Sequence, residues 1–144
     1  MGFAGMASTL EVGAQERTYE ESALRLDSGL GGLRIFRGVS DSLVLAIGTV
    51  RRVDVAALVA SSPKAVAEAK VFEGNYRQGV WTAMAGVAVW AAVYGIGRIG
   101  PNQPVPLAIT ATTVTLVAYG AIRVETAKRA LSRAVWWYNR DLKR

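Results

Sequence analysis

The sequence predicts an α+β membrane protein: a small β-rich N-terminal head, then a long two-span antiparallel transmembrane helical hairpin that extends into an amphipathic C-terminal helix. Three observations predict it. Residues 78–97 and 99–122 are uncharged runs of 20 and 24 positions. A helix rises about 1.5 Å per residue, so each run is long enough to cross a hydrocarbon core roughly 30 Å thick. The break between the two expected spans is Gly100-Pro101-Asn102-Gln103-Pro104-Val105-Pro106, at the start of the second run, where a helix cannot continue. Ahead of them, short bursts of alternating apolar residues separated by glycines read as strands.

Residues 1–17 read as a flexible tail of small and polar residues without a period. Its first ten positions show no basic segment followed by an apolar one, so no export signal is expected there. Residues 18–62 form the expected head. Leu24 and Leu26 flank Arg25, Leu33 and Ile35 flank Arg34, and Leu43, Leu45 and Ile47 follow at period two, punctuated by Gly29, Gly32, Gly38 and Gly48. Three or four short strands are expected, needing a helix to cover them. Asp54 is placed to cap a short helix over 55–60.

Ser62 before Pro63 then opens a long helix, with Ala65, Ala69, Phe72, Tyr76 and Gly79 on one stripe. The helical hairpin should occupy 63–142, with spans at about 78–97 and 104–122. Beyond them, Ala127, Ala130, Leu131, Ala134, Val135, Tyr138 and Leu142 make the apolar face of a basic amphipathic helix over 123–142. Counting outward from the turn places Ala65 near Tyr138 and Tyr76 near Ala127. Both runs are rich in Ala, Val, Gly and Thr rather than Leu, and a helix pair buried within a larger assembly would carry a similar pattern.

Close helix approach favours small residues. Those expected at the helix contact are Gly79, Ala83 and Gly86 on the first span and Ala108, Thr112 and Thr115 on the second. Trp81, Trp136, Trp137, Arg123, Lys128 and Arg129 are the expected membrane-interface anchors. The turn carries only Arg98, whereas the opposite side collects Lys64, Lys70, Arg77 and the cations from Arg123 onward. The positive-inside rule therefore puts both termini in the cytoplasm of a bacterial cell, with the chain in the inner membrane.

Composition narrows the chemistry. The 144 residues carry 17 Lys+Arg against 11 Asp+Glu, with no Cys and no His. Disulfides, thiolate metal sites, cysteine nucleophiles, and imidazole bases or ligands are therefore excluded. The four Asp residues (Asp27, Asp41, Asp54 and Asp141) are scattered among turns and termini. Gly29-Leu30-Gly31-Gly32 lacks the Lys-Ser/Thr of a phosphate loop. No ionisable residue interrupts either run, which argues against an ion path. No catalytic, metal or cofactor residue is expected, and no cofactor.

Charge is unevenly placed. Residues 1–78 balance nine basic side chains with nine acidic ones, while 79–144 hold eight basic and two acidic. The excess follows an apolar run, so the expected partners are anionic lipid headgroups and acidic surfaces of a larger membrane complex. Nucleic acid is not expected.

Ser62-Pro63-Lys64-Ala65 and Ala134-Val135-Trp136-Trp137-Tyr138-Asn139 lie on either side of the hairpin. On these motifs the chain resembles small bacterial membrane proteins with a β-rich head, a two-helix hairpin and an AVxxYN-type ending, over roughly 20–142. The resemblance implies no activity or catalytic residue, and members of that group commonly carry an export signal, which would invert the orientation. The expected function is a non-catalytic accessory subunit that stabilises a larger membrane complex. A bioenergetic assembly, either a photosynthetic reaction centre with its antenna or a respiratory complex, is the expected setting. A membrane or envelope protein that self-associates through its hairpin is the alternative, and a transporter or enzyme a remote one.

Overall fold

The computed structural model describes residues 19–29, 32–48, 54–95 and 106–144. The expected tail and residues 100–105 of the expected turn lie outside them. Three strands, β1 (Leu24–Gly29), β2 (Gly32–Arg37) and β3 (Ser42–Ile47), precede a short helix, α1 (Val55–Leu58), and two long ones, α2 (Pro63–Gly95) and α3 (Leu107–Asp141). The chain divides into two compact units: Met1–Lys70 with Leu131–Arg144, and Val71–Ala130.

In the first unit the strands form an antiparallel meander in the order β1-β2-β3. Leu26 pairs with Ile35, and Ile35 with Leu45, so the alternating residues share one face. Leu24, Leu33, Ile35 and Ile47 are buried there, in a core that also holds Val55, Val59, Ala65, Ala69, Leu131, Ala134, Val135 and Tyr138. Burying such side chains stabilises by about 1.5–3 kcal/mol each for the larger ones, which lets so short a sheet persist.

A bulge between Ile35 and Phe36 breaks the period on β3. Phe36 pairs with Leu43 rather than Val44, so Leu43 turns to the outer face and is exposed. There Arg25 lies over the Phe36 ring, 5.7 Å from its centroid, and reaches Asp41 at 2.9 Å. The β2–β3 turn needs Gly38. Its φ is +71°, and a Cβ would stand 2.8 Å from the Glu21 carbonyl oxygen.

In the second unit α2 and α3 run antiparallel, because Gly79 faces Gly120 while Gly86 faces Thr113, Leu116 and Val117. Here the two-span expectation requires correction. Among the described residues one helix, α3, is long and apolar enough to cross a membrane; α2 is not, so the paired spans over 78–97 and 104–122 do not stand. The physical reason is that an uncharged run is not the same as an apolar one. After Arg77, α2 interleaves its Val and Ala with Gln78, Gly79, Trp81, Thr82, Gly86 and Trp90, which contribute little or nothing to transfer into hydrocarbon. Helix α3 concentrates Leu107, Ile109, Val114, Leu116, Val117 and Ile122 instead. The multi-pass topology falls with the second span.

Candidate functional site

The helix contact of the second unit is set by backbone proximity. A Cβ on Gly79 would stand 2.8 Å from the Gly120 carbonyl oxygen, and one on Gly120 would stand 2.6 Å from that of Gly79 and 2.8 Å from Ala83. Gly79, Ala83 and Gly86 thus meet α3 at a close helix crossing. On α3 the facing positions are Thr113, Leu116, Val117 and Gly120. Ala108, Thr112 and Thr115 lie on an exposed face, and the Thr112 hydroxyl donates to the Ala108 carbonyl of its own helix at 2.8 Å. Thr112 and Thr115 each precede a contact residue, so the actual contact stripe lies one residue, about 100°, around the helix.

Just beyond the crossing, Arg123 is held by neutral acceptors. Its Nε and Nη2 donate to the Tyr119 hydroxyl at 2.9 and 2.6 Å, and its Nη1 donates to Asn75 Oδ1 at 2.7 Å. Asn75 is oriented by donating its own amide to the Val71 carbonyl at 2.9 Å. The guanidinium also lies 5.1 Å from the Tyr119 ring centroid. No carboxylate pairs with Arg123 among the described residues. Tyr119 also lines an open groove of about 450 Å³ with Arg77, Gln78, Trp81 and Thr82. One turn away, Tyr76 packs against Phe72 with ring centroids 5.3 Å apart, and burial raises its pKa above 10.0. The Tyr119–Arg123 spacing was visible in the sequence as an i,i+4 pair, whereas Asn75 required the helix register.

The first unit carries two polar clamps. Asn139 accepts the Leu24 N–H at 2.8 Å and donates to the Leu24 carbonyl at 2.7 Å. Its amide thereby satisfies the outer edge of β1 as a neighbouring strand would. Ser62, buried, caps α2 by accepting the Ala65 N–H at 3.3 Å while donating to Asp141 Oδ2 at 2.6 Å.

The remaining anchor residues are dispersed. Trp81 and Trp136 are exposed. Trp137 receives Lys64 at 4.5 Å and Arg140 at 3.9 Å from its ring centroid, a cation–π arrangement within the first unit. Trp136 meets Trp137 edge-on with centroids 4.7 Å apart. Arg129 reaches Glu125 at 3.6 Å across one turn, and Lys128 is exposed. Among the described residues no cluster of His, Cys, Asp or Glu could hold a metal ion.

No family model matches the chain, and neither a curated protein nor a solved structure is similar to it. The functional reading therefore rests on the residues alone.

Proposed function

We propose that this chain is a non-catalytic accessory protein of a membrane complex, associated with the bilayer through α3. The observation that carries the reading is the solvent-facing apolar surface of that helix. Only 6% of its most apolar window is buried within the chain. Leu107, Val114, Val117, Tyr119 and Ile122 are exposed along it, and exposed apolar surface of this kind marks a membrane or protein contact. Lipid or an apolar partner surface is the environment that such a helix requires.

The cations Arg123, Lys128, Arg129, Arg133, Arg140, Lys143 and Arg144 follow the apolar part of α3. By the positive-inside rule they favour a cytoplasmic C-terminal side, beside anionic headgroups. The polar contacts described above serve structure: they close a strand edge, cap a helix and steady an arginine. The Ser62 hydroxyl that donates to Asp141 is buried and serves as the cap of α2. The bioenergetic setting draws support from none of these residues, so the partner is defined by chemistry alone: an apolar helical face with acidic groups at its cytoplasmic end.

Purification of the full chain from its native membranes in mild detergent tests the proposal. Co-migration with a much larger complex is the expected result. Migration as a lone chain or as a homo-oligomer would contradict the accessory role.

A further inference from the structure

The geometry points to a binding site for the phosphate of an anionic phospholipid headgroup, formed by Arg77, Trp81, Thr82, Tyr119 and Arg123. This inference rests on the membrane association proposed above and specifies where that association becomes chemically selective.

The first argument is charge. Arg123 spends three N–H donors on two neutral side chains, Tyr119 and Asn75. A guanidinium has five donors, so two remain, and the positive charge is positioned without being neutralised. Arg77 lies in the groove wall with Gln78, Trp81, Thr82 and Tyr119, and is exposed. On the same helices Arg129 pairs with Glu125, and Arg133 with Glu68. Arg123 holds the Tyr119 hydroxyl while Arg77 shares the groove wall with that tyrosine, an arrangement suited to an anion.

The second argument is the state of Tyr119. Its oxygen accepts two charged N–H groups, which polarises the phenol and leaves its O–H to donate outward. Tyr119 is shared between the arginine cluster and the groove, so this donor, Arg77 and the Thr82 hydroxyl address the same space. Arginine forks and hydroxyl donors are the groups that bind phosphate oxygens.

The third argument is position. Arg77 is the last charge before the uncharged run of α2, and Arg123 the first after the apolar part of α3. The Arg123–Asn75 hydrogen bond brings these two points together. The groove therefore opens where apolar surface gives way to charge, the level at which a lipid carries its phosphate. Trp81, exposed in the groove wall, is the aromatic that favours this interface.

The test uses the full chain incorporated into bilayers of phosphatidylcholine with phosphatidylglycerol. Lipid retained on the protein after gentle detergent exchange is counted by native mass spectrometry. Wild type should retain phosphatidylglycerol preferentially, and Arg77→Gln should weaken that retention about tenfold, the loss expected for one charge-assisted contact. Tyr119→Phe, which keeps the ring and removes the hydroxyl, should act in the same direction, and Arg123→Lys should recover only part of the loss caused by Arg123→Gln.

Equal retention of the two lipids by wild type, or unchanged selectivity in Arg77→Gln and Tyr119→Phe, would overturn the site while leaving membrane association intact. Displacement of the bound lipid by a small excess of inorganic phosphate would assign the groove to the free anion and overturn the lipid assignment. Failure of wild type to enter bilayers of either composition would overturn both the site and the reading on which it rests.

Discussion

Replacing Gly120 with alanine tests how tightly the two long helices are pressed together in the second unit. The added Cβ would lie 2.6 Å from the Gly79 carbonyl oxygen and 2.8 Å from both the backbone nitrogen and Cβ of Ala83. Two of those atoms are backbone, and an alanine Cβ has no rotamer that retreats, so relief requires the helices to separate by several tenths of an ångström or more. Overpacking of this kind costs about 1–3 kcal/mol. Alanine exceeds glycine in helix propensity by up to about 1 kcal/mol, which offsets part of that cost. The internal reference is Gly74, where a new Cβ meets nothing within 4 Å; Gly74→Ala should therefore stabilise by about 0.4–1 kcal/mol. Gly79→Ala should resemble Gly120→Ala. Gly86→Ala should be milder, because its nearest neighbours stand at 3.0–3.2 Å and the closest is a Val117 methyl. Thermal unfolding of the full chain in mild detergent, followed by circular dichroism, gives the order. Stabilisation by Gly120→Ala equal to that by Gly74→Ala would refute the close crossing.

Two further predictions concern polar groups. Asn139→Asp keeps the acceptor for the Leu24 N–H but removes the donor to the Leu24 carbonyl and sets a carboxylate against it; a loss of about 1–3 kcal/mol is expected by urea unfolding, and wild-type stability would show that the amide does not hold the strand edge. Tyr76 has its pKa raised by burial. A raised folded-state pKa means that its contribution is complete below the unfolded value of 10.0 and is lost as pH rises through the folded one. Tyr76→Phe should therefore flatten the fall in stability above about pH 10 and leave the neutral range unchanged in slope; an identical alkaline profile in the variant would contradict the burial.

The strands were legible where local rules act alone. Period-two pairs such as Leu24 with Leu26, and Leu33 with Ile35, announce a half-buried strand because successive side chains point to opposite faces. Leu43 escaped the same rule: the bulge opposite Ile35 and Phe36 turns it outward, and a bulge leaves no mark in a short apolar string. The long helices were legible from Pro63 and from the uncharged runs, but the span assignment failed on α2, where absence of charge concealed a high share of Trp, Gly and polar residues. The facing stripe of α3 was unreadable for a related reason. In Ala108-Ile109-Thr110-Ala111-Thr112-Thr113-Val114-Thr115 small residues occur on every side, so rotational phase is set by the partner helix rather than by composition. The Arg123 cluster shows the same division, with Tyr119 visible at one-turn spacing and Asn75 supplied only by the fold.

Association with a bilayer through α3 underlies both the proposed role and the headgroup site. Alkaline carbonate extraction of membranes carrying the full chain measures it most directly. The chain should remain with the membrane pellet under conditions that strip peripheral proteins held by charge alone. Quantitative release into the supernatant, without detergent and without a companion protein, would contradict the account.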